Sequence, residues 1–207
     1  WNVENIDLGT EGTKTLTVRA TDATGNETQT DGIIFYLDEN APTLTEDTIG
    51  SPTTLDTDAG FSLDGTAYDS NELAATAITV RQQFNADSAV SLDVNGPSTA
   101  DGWANWSLTN LPRDPASVGV QLLTDGVYTY DITVAEVAGR TATITRTVRI
   151  DTTAPNLTII EPADGSWFSS TSVSISGSSS DNAGVGVATI EYSTDFTDDG
   201  DDLNDTW

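Results

Sequence analysis

The sequence predicts an all-β fold, and three observations lead to that prediction. The first is a two-residue alternation of apolar and polar side chains in runs such as "TKTLTVRAT" at 13–21, which is typical of a half-buried strand. The second is composition, because Thr, Val, Ile and Tyr fill these runs while Gly, Asp, Asn and Pro separate them. The third is that no segment keeps a convincing 3.6-residue period. The stretch "NELAATAITV" at 71–80 begins like a helix, but its second half alternates like a strand.

Three further runs alternate in the same way: "VYTYDITVAE" at 127–136, "TITRTVRID" at 143–151 and "TSVSISGSS" at 171–179. Strands with one buried face place alternate residues in the core. The residues that we expect to point inward are Val18, Ile78, Val80, Ile132, Val134, Val148, Ile150, Ile175 and Ile190. Those that we expect to point outward or to flank the core are Thr17, Arg19, Thr133, Arg149 and Thr189.

The net charge limits the classes of partner. The 207 residues include 33 acidic and 7 basic side chains, which gives a formal net charge of −26. Nucleic acid and anionic membrane surfaces both attract basic proteins, so neither is expected as a partner. Self-repulsion at this charge favours bound cations.

The missing residue types exclude several kinds of site. The sequence has no Cys and no His, which argues against disulfides and against zinc, haem or iron–sulfur centres. No apolar run approaches the ~18 residues of a membrane span, so no membrane insertion is expected. The beginning, "WNVENIDLG", has neither a Met nor a basic signal-peptide region, and we expect the chain to be a slice of something longer.

One sequence unit recurs every ~113 residues, and fixed-period self-similarity is the signature of repeat architectures. "EGTKTLTVRATDATGN" at 11–26 aligns with "DGVYTYDITVAEVAGR" at 125–140, and later segments align at slightly shorter offsets. The aligned pairs include Gly12 with Gly126, Asp22 with Glu136, Gly25 with Gly139, Gly65 with Gly177, Asp69 with Asp181, and Ile78 with Ile190.

The motif Asp-x-x-Ala-Pro occurs twice, at 38–42 and 151–155, and we interpret it as a domain junction. Proline cannot donate to a central strand ladder and it stiffens the chain, so it fits a boundary. Residues 41–153 are then one complete domain. Residues 1–40 are the C-terminal part of a preceding domain, and residues 154–207 are the N-terminal part of a following one.

Two long stretches resemble the tandem bacterial immunoglobulin-like domains of large surface proteins and adhesins: "EGTKTLTVRATDATGN…DENAPTLT" and "VRIDTTAPNLTI…SGSSSDNAGVGVATIEYSTD". In that family a strand that ends in Ala-x-Asp-x-x-Gly-Asn leads to the last strand, and Asp-x-x-Ala-Pro opens the next domain. The resemblance covers most of the chain and is weakest at 85–121. It implies tandem immunoglobulin-like β-sandwiches with a structural, non-enzymatic role in a stalk or fibre at a microbial cell surface or in the extracellular space.

Acidic residues recur at predicted loop positions near the two junctions. Converging oxygen ligands suit Ca²⁺, which takes six to eight of them, and the resemblance implies calcium between domains. We expect the ligands to come from Asp22, Asp38, Glu39, Asp69, Asp151, Asp181 and Asn182. The alternative is that these Asp and Asn side chains cap turns.

A second acidic candidate is "DFTDDGDDLND" at 195–205. Its Asp-x-Thr-x-Asp-Gly portion resembles the first half of a calcium-binding loop, although Thr206 stands where such a loop has its last Glu. The expected ligands are Asp195, Asp199 and Asp201. The alternative is a solvated acidic loop or a partly disordered tail.

The two partial domains predict a partner. An unfinished sandwich exposes strand edges that pair with other chains, so we expect each part to be completed head-to-tail, either by neighbouring copies in a filament or by continuation of the chain. The alternative function is a ligand-binding module for surface glycans, with Trp103, Trp106, Trp167 and Phe168 as stacking candidates. Four N-glycosylation sequons, at Asn26, Asn105, Asn156 and Asn204, leave modification open.

Overall fold

The predicted all-β class is confirmed. The computed structural model describes residues 1–50, 53–55, 60–92, 97–99, 101–114, 116–121, 124–181 and 186–193, which form sixteen strands and no helix. In this described part of the chain there is accordingly no helix that is long and apolar enough to cross a membrane. The strands are β1 (Gly12–Leu16), β2 (Arg19–Thr21), β3 (Glu27–Gln29), β4 (Ile33–Leu37), β5 (Thr43–Leu44), β6 (Thr53–Leu55), β7 (Phe61–Tyr68), β8 (Leu73–Phe84), β9 (Val90–Ser91), β10 (Asn105–Leu111), β11 (Arg113–Asp114), β12 (Ser117–Gln121), β13 (Gly126–Glu136), β14 (Thr141–Ile150), β15 (Asn156–Glu161) and β16 (Ser176–Ser180).

Two sheets in the middle of the chain share one hydrophobic core. One has five strands in the order β6-β14-β13-β8-β9, and the other has three in the order β10-β7-β5. Alternate residues of both sheets point into the space between them, as the period-two pattern requires. The largest fully buried apolar side chains are Leu63, Leu92, Trp106, Leu108, Leu111, Tyr130, Ile132 and Ile150.

The predicted strand phase is correct for this core. The residues predicted to point inward on β8, β13 and β14 are all buried: Ile78, Val80, Ile132, Val134, Val148 and Ile150. Thr17, Arg19 and Thr189 are exposed, and Thr133 and Arg149 are half-buried at the flanks.

The predicted burial of Ile175 and Ile190 is wrong for this structure, since both are exposed, and Val18 is only half-buried. The physical reason is the absence of a facing layer. β15 pairs with β16 alone, β1 with β4 alone and β2 with β3 alone among the described strands, and none of these two-stranded sheets has a second sheet packed on it there.

The repeat seen in the sequence recurs in the strand pairing. β5 pairs with β7 so that Thr43 faces Tyr68, and β15 pairs with β16 so that Asn156 faces Ser180, which are the aligned positions. A methyl group on Gly65 would collide with the Thr45 carbonyl, and one on Gly177 would collide with the Thr158 carbonyl, so both glycines permit the same close approach.

The hairpin formed by β2 and β3 repeats the end of the hairpin formed by β13 and β14. Arg19 faces Gln29, and its counterpart Thr133 faces Thr143, 114 residues later in both strands. The turns also agree, because Asp22 and Asn26 are bonded through their backbones as Glu136 and Arg140 are. Gly25 and Gly139 hold positive φ angles of 92° and 95° in these turns, a conformation that favours glycine.

Candidate metal site

Three carboxylates from distant parts of the sequence lie close together at the end of β4, beside the two central sheets. Asp38 follows β4, Asp69 follows β7 and Glu136 ends β13. One carboxylate oxygen from each lies within 4.8 Å of the others. Two of the three, Asp38 and Asp69, are among the predicted calcium ligands, so the structure brings part of the predicted junction site together.

Asp38 and Asp69 are each fixed by the loop in which they lie. Asp38 accepts a hydrogen bond from the Asn40 backbone N–H at 3.2 Å, and Asp69 accepts one from the Asn71 backbone N–H at 2.8 Å. The Asn71 side chain also donates to Asp38, and this bond is the main cause that lowers the pKa of Asp38 below its ordinary value. Asn71 therefore contacts two of the three carboxylates and holds them in place.

Glu136 is the buried member of the cluster. Its backbone N–H donates to the Arg140 carbonyl at 3.1 Å, and its Oε1 accepts the Arg140 N–H at 3.3 Å, so one oxygen is used by the hairpin turn. The other oxygen, Oε2, is buried and has no hydrogen-bond donor, in a residue that is only 2% exposed. Burial raises the pKa of Glu136 above its ordinary value, and a hydrogen bond between its side chain and that of Asp38 raises it further, which favours a protonated Glu136 beside an ionised Asp38.

Carboxylates at this separation repel each other when both are ionised, and either a proton held by Glu136 or a bound cation would relieve that repulsion. The donor set consists only of oxygens, which suits a hard ion such as Ca²⁺ rather than a metal that prefers sulfur or imidazole. Asp38, Asp69 and Glu136 would hold the ion, with charge neutralisation as its contribution.

Asp22 and Glu39 are not brought to the cluster. Asp22 is exposed in the turn between β2 and β3, where Oδ1 accepts the backbone N–H groups of Thr24 at 2.9 Å and Asn26 at 2.8 Å. Bonds from the side chains of Asn26 and Thr24 are the largest causes of a pKa for Asp22 far below its ordinary range. This residue caps a turn, as the alternative interpretation held, and Glu39 is exposed beside Asp38.

The second predicted junction brings Asp151 and Asp181 to one pocket, together with Thr152, Pro155 and Gly186. Asp181 accepts the Gly186 backbone N–H at 2.9 Å, and Asp151 accepts the Thr153 N–H at 3.4 Å. Within the described residues no third carboxylate joins them. Four predicted ligands, Asn182, Asp195, Asp199 and Asp201, lie outside the described residues.

Glu136 is a candidate ligand that is not among the residues predicted from the sequence. The repeat alignment could have indicated it, because Glu136 aligns with Asp22, which is among them. The alignment alone does not show which of Asp22 and Glu136 has a carboxylate oxygen outside the hydrogen bonds of its turn. That depends on the side-chain length, because Glu136 is one methylene longer than Asp22.

The predicted aromatic platform is not assembled. Trp106 is buried in the core, and the indole N–H of Trp103 donates to the Ala75 carbonyl at 3.2 Å. Trp167 is 98% exposed and Phe168 is exposed beside it, in a segment after β15. The four candidates therefore lie in different environments and do not form one stacking surface.

Comparisons with known proteins add little to this picture. No family model matches the sequence, and no curated protein matches it. Among solved structures, murine CRIg matches with 12% sequence identity over 54% of this chain and 97% of that chain, at a TM-score of 0.29. A TM-score this low carries no argument about fold or function.

Proposed function

We propose that this chain is a structural segment of tandem immunoglobulin-like β-sandwiches in an extracellular or cell-surface stalk, fibre or filament. The observation that carries the proposal is the recurrence of the strand-pairing registers. The pairing of β5 with β7 recurs in β15 with β16, and the hairpin of β13 and β14 recurs in β2 and β3. A chain that repeats one sandwich unit in series has an architectural role, and the proposed role is mechanical rather than catalytic.

Calcium is the proposed stiffening ion at the junction before the central sandwich. Asp38 begins the first junction motif (38–42), Asp69 follows β7, and Glu136 is the last residue of β13. An ion held by all three would tie this junction to the ends of two strands of the central sheets, which limits bending there. The net charge of −26 adds a general attraction for divalent cations.

The test of this proposal is thermal unfolding of chelated protein with and without millimolar Ca²⁺ at low salt. An ion that binds only the folded state stabilises it by about 2.7 kcal/mol when its concentration is a hundred times Kd. We expect the melting temperature to rise by several degrees, and Asp69→Ala or Glu136→Asp to remove most of that rise. Glu136→Asp is the sharper variant, because it keeps the charge but withdraws the carboxylate toward the turn.

The matched control is Asp22→Ala, which changes the equivalent turn residue of the preceding unit. Asp22 is not in the cluster, so this variant should lower the baseline stability and keep the full calcium-induced rise. Equal melting temperatures of the wild-type protein in calcium and in chelator would contradict the calcium part of the proposal.

The remaining part of the proposal concerns the two-stranded sheets at either end of the described chain. Their apolar faces are exposed, and a face of this kind requires a covering sheet. The repeat indicates that the cover is another unit of the same type, supplied head-to-tail either by continuation of the chain or by a neighbouring copy.

A further inference from the structure

Two side-chain contacts between the layers of the central sandwich have aligned positions in the end units, which are residues 1–40 and the described part of 154–207. Arg146 on β14 donates through Nε to Glu46 Oε2 at 2.6 Å and through Nη2 to the Glu46 carbonyl at 3.3 Å. Phe61 on β7 packs edge-on against Tyr130 on β13, with ring centroids 5.7 Å apart. Each contact therefore joins the five-stranded sheet to the layer that contains β5 and β7.

Both members of the ion pair are replaced by isoleucine in the end units. Ile33 on β4 has the register of Arg146, since each lies opposite the aligned residue of the neighbouring strand. Ile159 on β15 has the position of Glu46, since the Cα atom of each lies next to the aligned glycine of the facing strand. In the structure Ile33 is 61% exposed and Ile159 is 68% exposed. A charged pair in the central unit therefore corresponds to an apolar pair that is divided between the two end units.

The aromatic pair is replaced in the same way. Leu16 on β1 is aligned with Tyr130, and it is exposed. Val173, which precedes β16, is aligned with Phe61, and it is exposed as well. Two rings that pack on each other in the central unit therefore correspond to two smaller aliphatic side chains, one from each end unit.

Charge matching determines which units can cover one another. If a layer with a glutamate like Glu46 covered β1 and β4, that buried carboxylate would lie against Ile33 without its cation. If β15 and β16 covered a sheet with an arginine like Arg146, its guanidinium would lie against Ile159 without its anion. A buried charge that has lost its partner is strongly destabilising. The face of β1 and β4 therefore matches the face of β15 and β16, and each mismatches the central type of unit.

We propose that the β15–β16 pair of a second copy of this chain covers the face of β1 and β4, so that Ile159 of one copy packs on Ile33 of the other and Val173 packs on Leu16. This inference rests on the proposed tandem sandwiches, and it commits to one of the two sources of the cover. Within one copy all four side chains are exposed, so the same chain does not supply the cover in this structure. Every copy carries the matching unit, so a second copy meets the requirement.

The experiment recreates the ion pair between two copies of the whole chain and measures their association by sedimentation velocity. Ile33→Arg and Ile159→Glu each place one charge against an isoleucine of a like copy, so each variant alone should associate at least about a hundredfold more weakly than wild type. In an equimolar mixture, contacts between unlike copies join either the new arginine with the new glutamate or two isoleucines. Mixing should therefore restore the assemblies.

The matched controls are Ile34→Arg and Ile160→Glu. These neighbouring residues are 61% and 63% exposed, and adjacent residues of a strand point to opposite faces, so neither control should weaken association. All four substituted positions are exposed in one copy, so circular dichroism should show an unchanged fold for every variant. Weakening of equal size in the controls would overturn the inference, because the added charge rather than its position would then be the cause.

Three other results would also overturn the inference. A wild-type chain that is monomeric at every concentration does so and leaves the proposed tandem sandwiches standing, because the recurring strand registers do not depend on association. Association that neither charge weakens would show that another surface joins the copies, and it would remove the proposed covering of the end units as well. Association that is weakened by the charges but not restored by mixing would show that Ile33 and Ile159 do not meet.

Discussion

Two equivalent turn carboxylates differ in one methylene, and that difference decides what each can bind. In the turn after β2, both oxygens of Asp22 accept bonds within the turn, from Thr24 and from the backbone and side chain of Asn26. Glu136 satisfies its turn with Oε1 alone and keeps Oε2 for a partner outside it. One position of the repeat therefore holds a turn cap in one unit and, in the proposed calcium site, a ligand in the next.

Asp125 gives a prediction at the residue scale that concerns pH. It accepts bonds from the Thr153 hydroxyl and from the Thr152 N–H and hydroxyl, the latter two at 2.9 Å, and so holds the second junction motif (151–155) against the start of β13. These bonds, that of the Thr153 side chain first, lower the pKa of Asp125 below its ordinary value of 3.8. The folded state favours the ionised form, so the stabilisation is present above pH 3.8 and is lost as the pH falls through the lower, folded-state pKa.

The measurement compares the free energy of unfolding of the wild-type protein with that of Asp125→Ala from pH 7 down to pH 2. We expect a difference that is constant above about pH 4 and shrinks toward zero below it. Asp87→Ala, an exposed loop aspartate, serves as the control and should show a smaller difference. A difference that grows on acidification would mean that Asp125 does not act through its charge.

At the scale of elements, β13 is the central strand of the five-stranded sheet, and its inner face contributes several of the most buried residues of the core. It pairs with β8 on one side and β14 on the other, and Tyr130, Ile132 and Val134 are fully buried on its inner face. Removing most of a buried side chain there loses transfer free energy and leaves a cavity. We expect Ile132→Ala to lower the free energy of unfolding by about 2–5 kcal/mol.

Chemical denaturation is the appropriate measurement for this variant. The control is Thr79→Ala on the facing strand β8, an exposed position that should stay within about 0.5 kcal/mol of wild type. If the Ile132→Ala variant is as stable as the control, the inner face of β13 does not pack in the hydrophobic core in solution.

The elements of this core could be predicted because alternation and the repeat pointed to the same strands. The alternation of apolar and polar residues could not predict the polar contacts that cross the core. Gln82 occupies an inward position of β8, and its side-chain amide exchanges two bonds with the backbone of Arg113, at 2.7 and 2.9 Å. Arg113 lies in the stretch where the repeat is weakest, so no aligned unit indicated this partner.

The ion pair between Glu46 and Arg146 was missed for a similar reason. Arg146 Nε donates to Glu46 Oε2 at 2.6 Å across 100 residues of sequence, and Glu46 is buried. In the preceding unit the position aligned with Arg146 is Ile33, which faces Leu16 as Arg146 faces Tyr130. A charged residue at an inward position contradicts the alternation rule, and only the folded chain reveals the carboxylate that compensates it.

At the scale of the whole molecule, equivalent residues are buried in one unit and exposed in the others. Leu16 is 38% exposed, although its counterpart Tyr130 is fully buried. Ile175 is 55% exposed, although the aligned residue Leu63 is fully buried. The exposed residues of the first unit correspond to those that the β5–β7 strand pair covers in the central unit, and β15 with β16 is a pair of the same kind. The exposed face around Leu16 and the exposed face around Ile175 therefore correspond to the two sheets that pack on each other in the central unit.

This complementarity predicts head-to-tail association of the 207-residue chain, if a neighbouring copy rather than continuation of the chain supplies the cover. Sedimentation of the wild-type chain should then show assemblies that lengthen with concentration, because a heterologous contact that does not close is open-ended. Leu16→Asp blocks one face and Ile175→Asp the other, so each variant alone should be monomeric. An equimolar mixture of the two variants retains one intact face of each kind and should form a discrete dimer. A wild-type chain that stays monomeric at every concentration would show that copies do not complete one another.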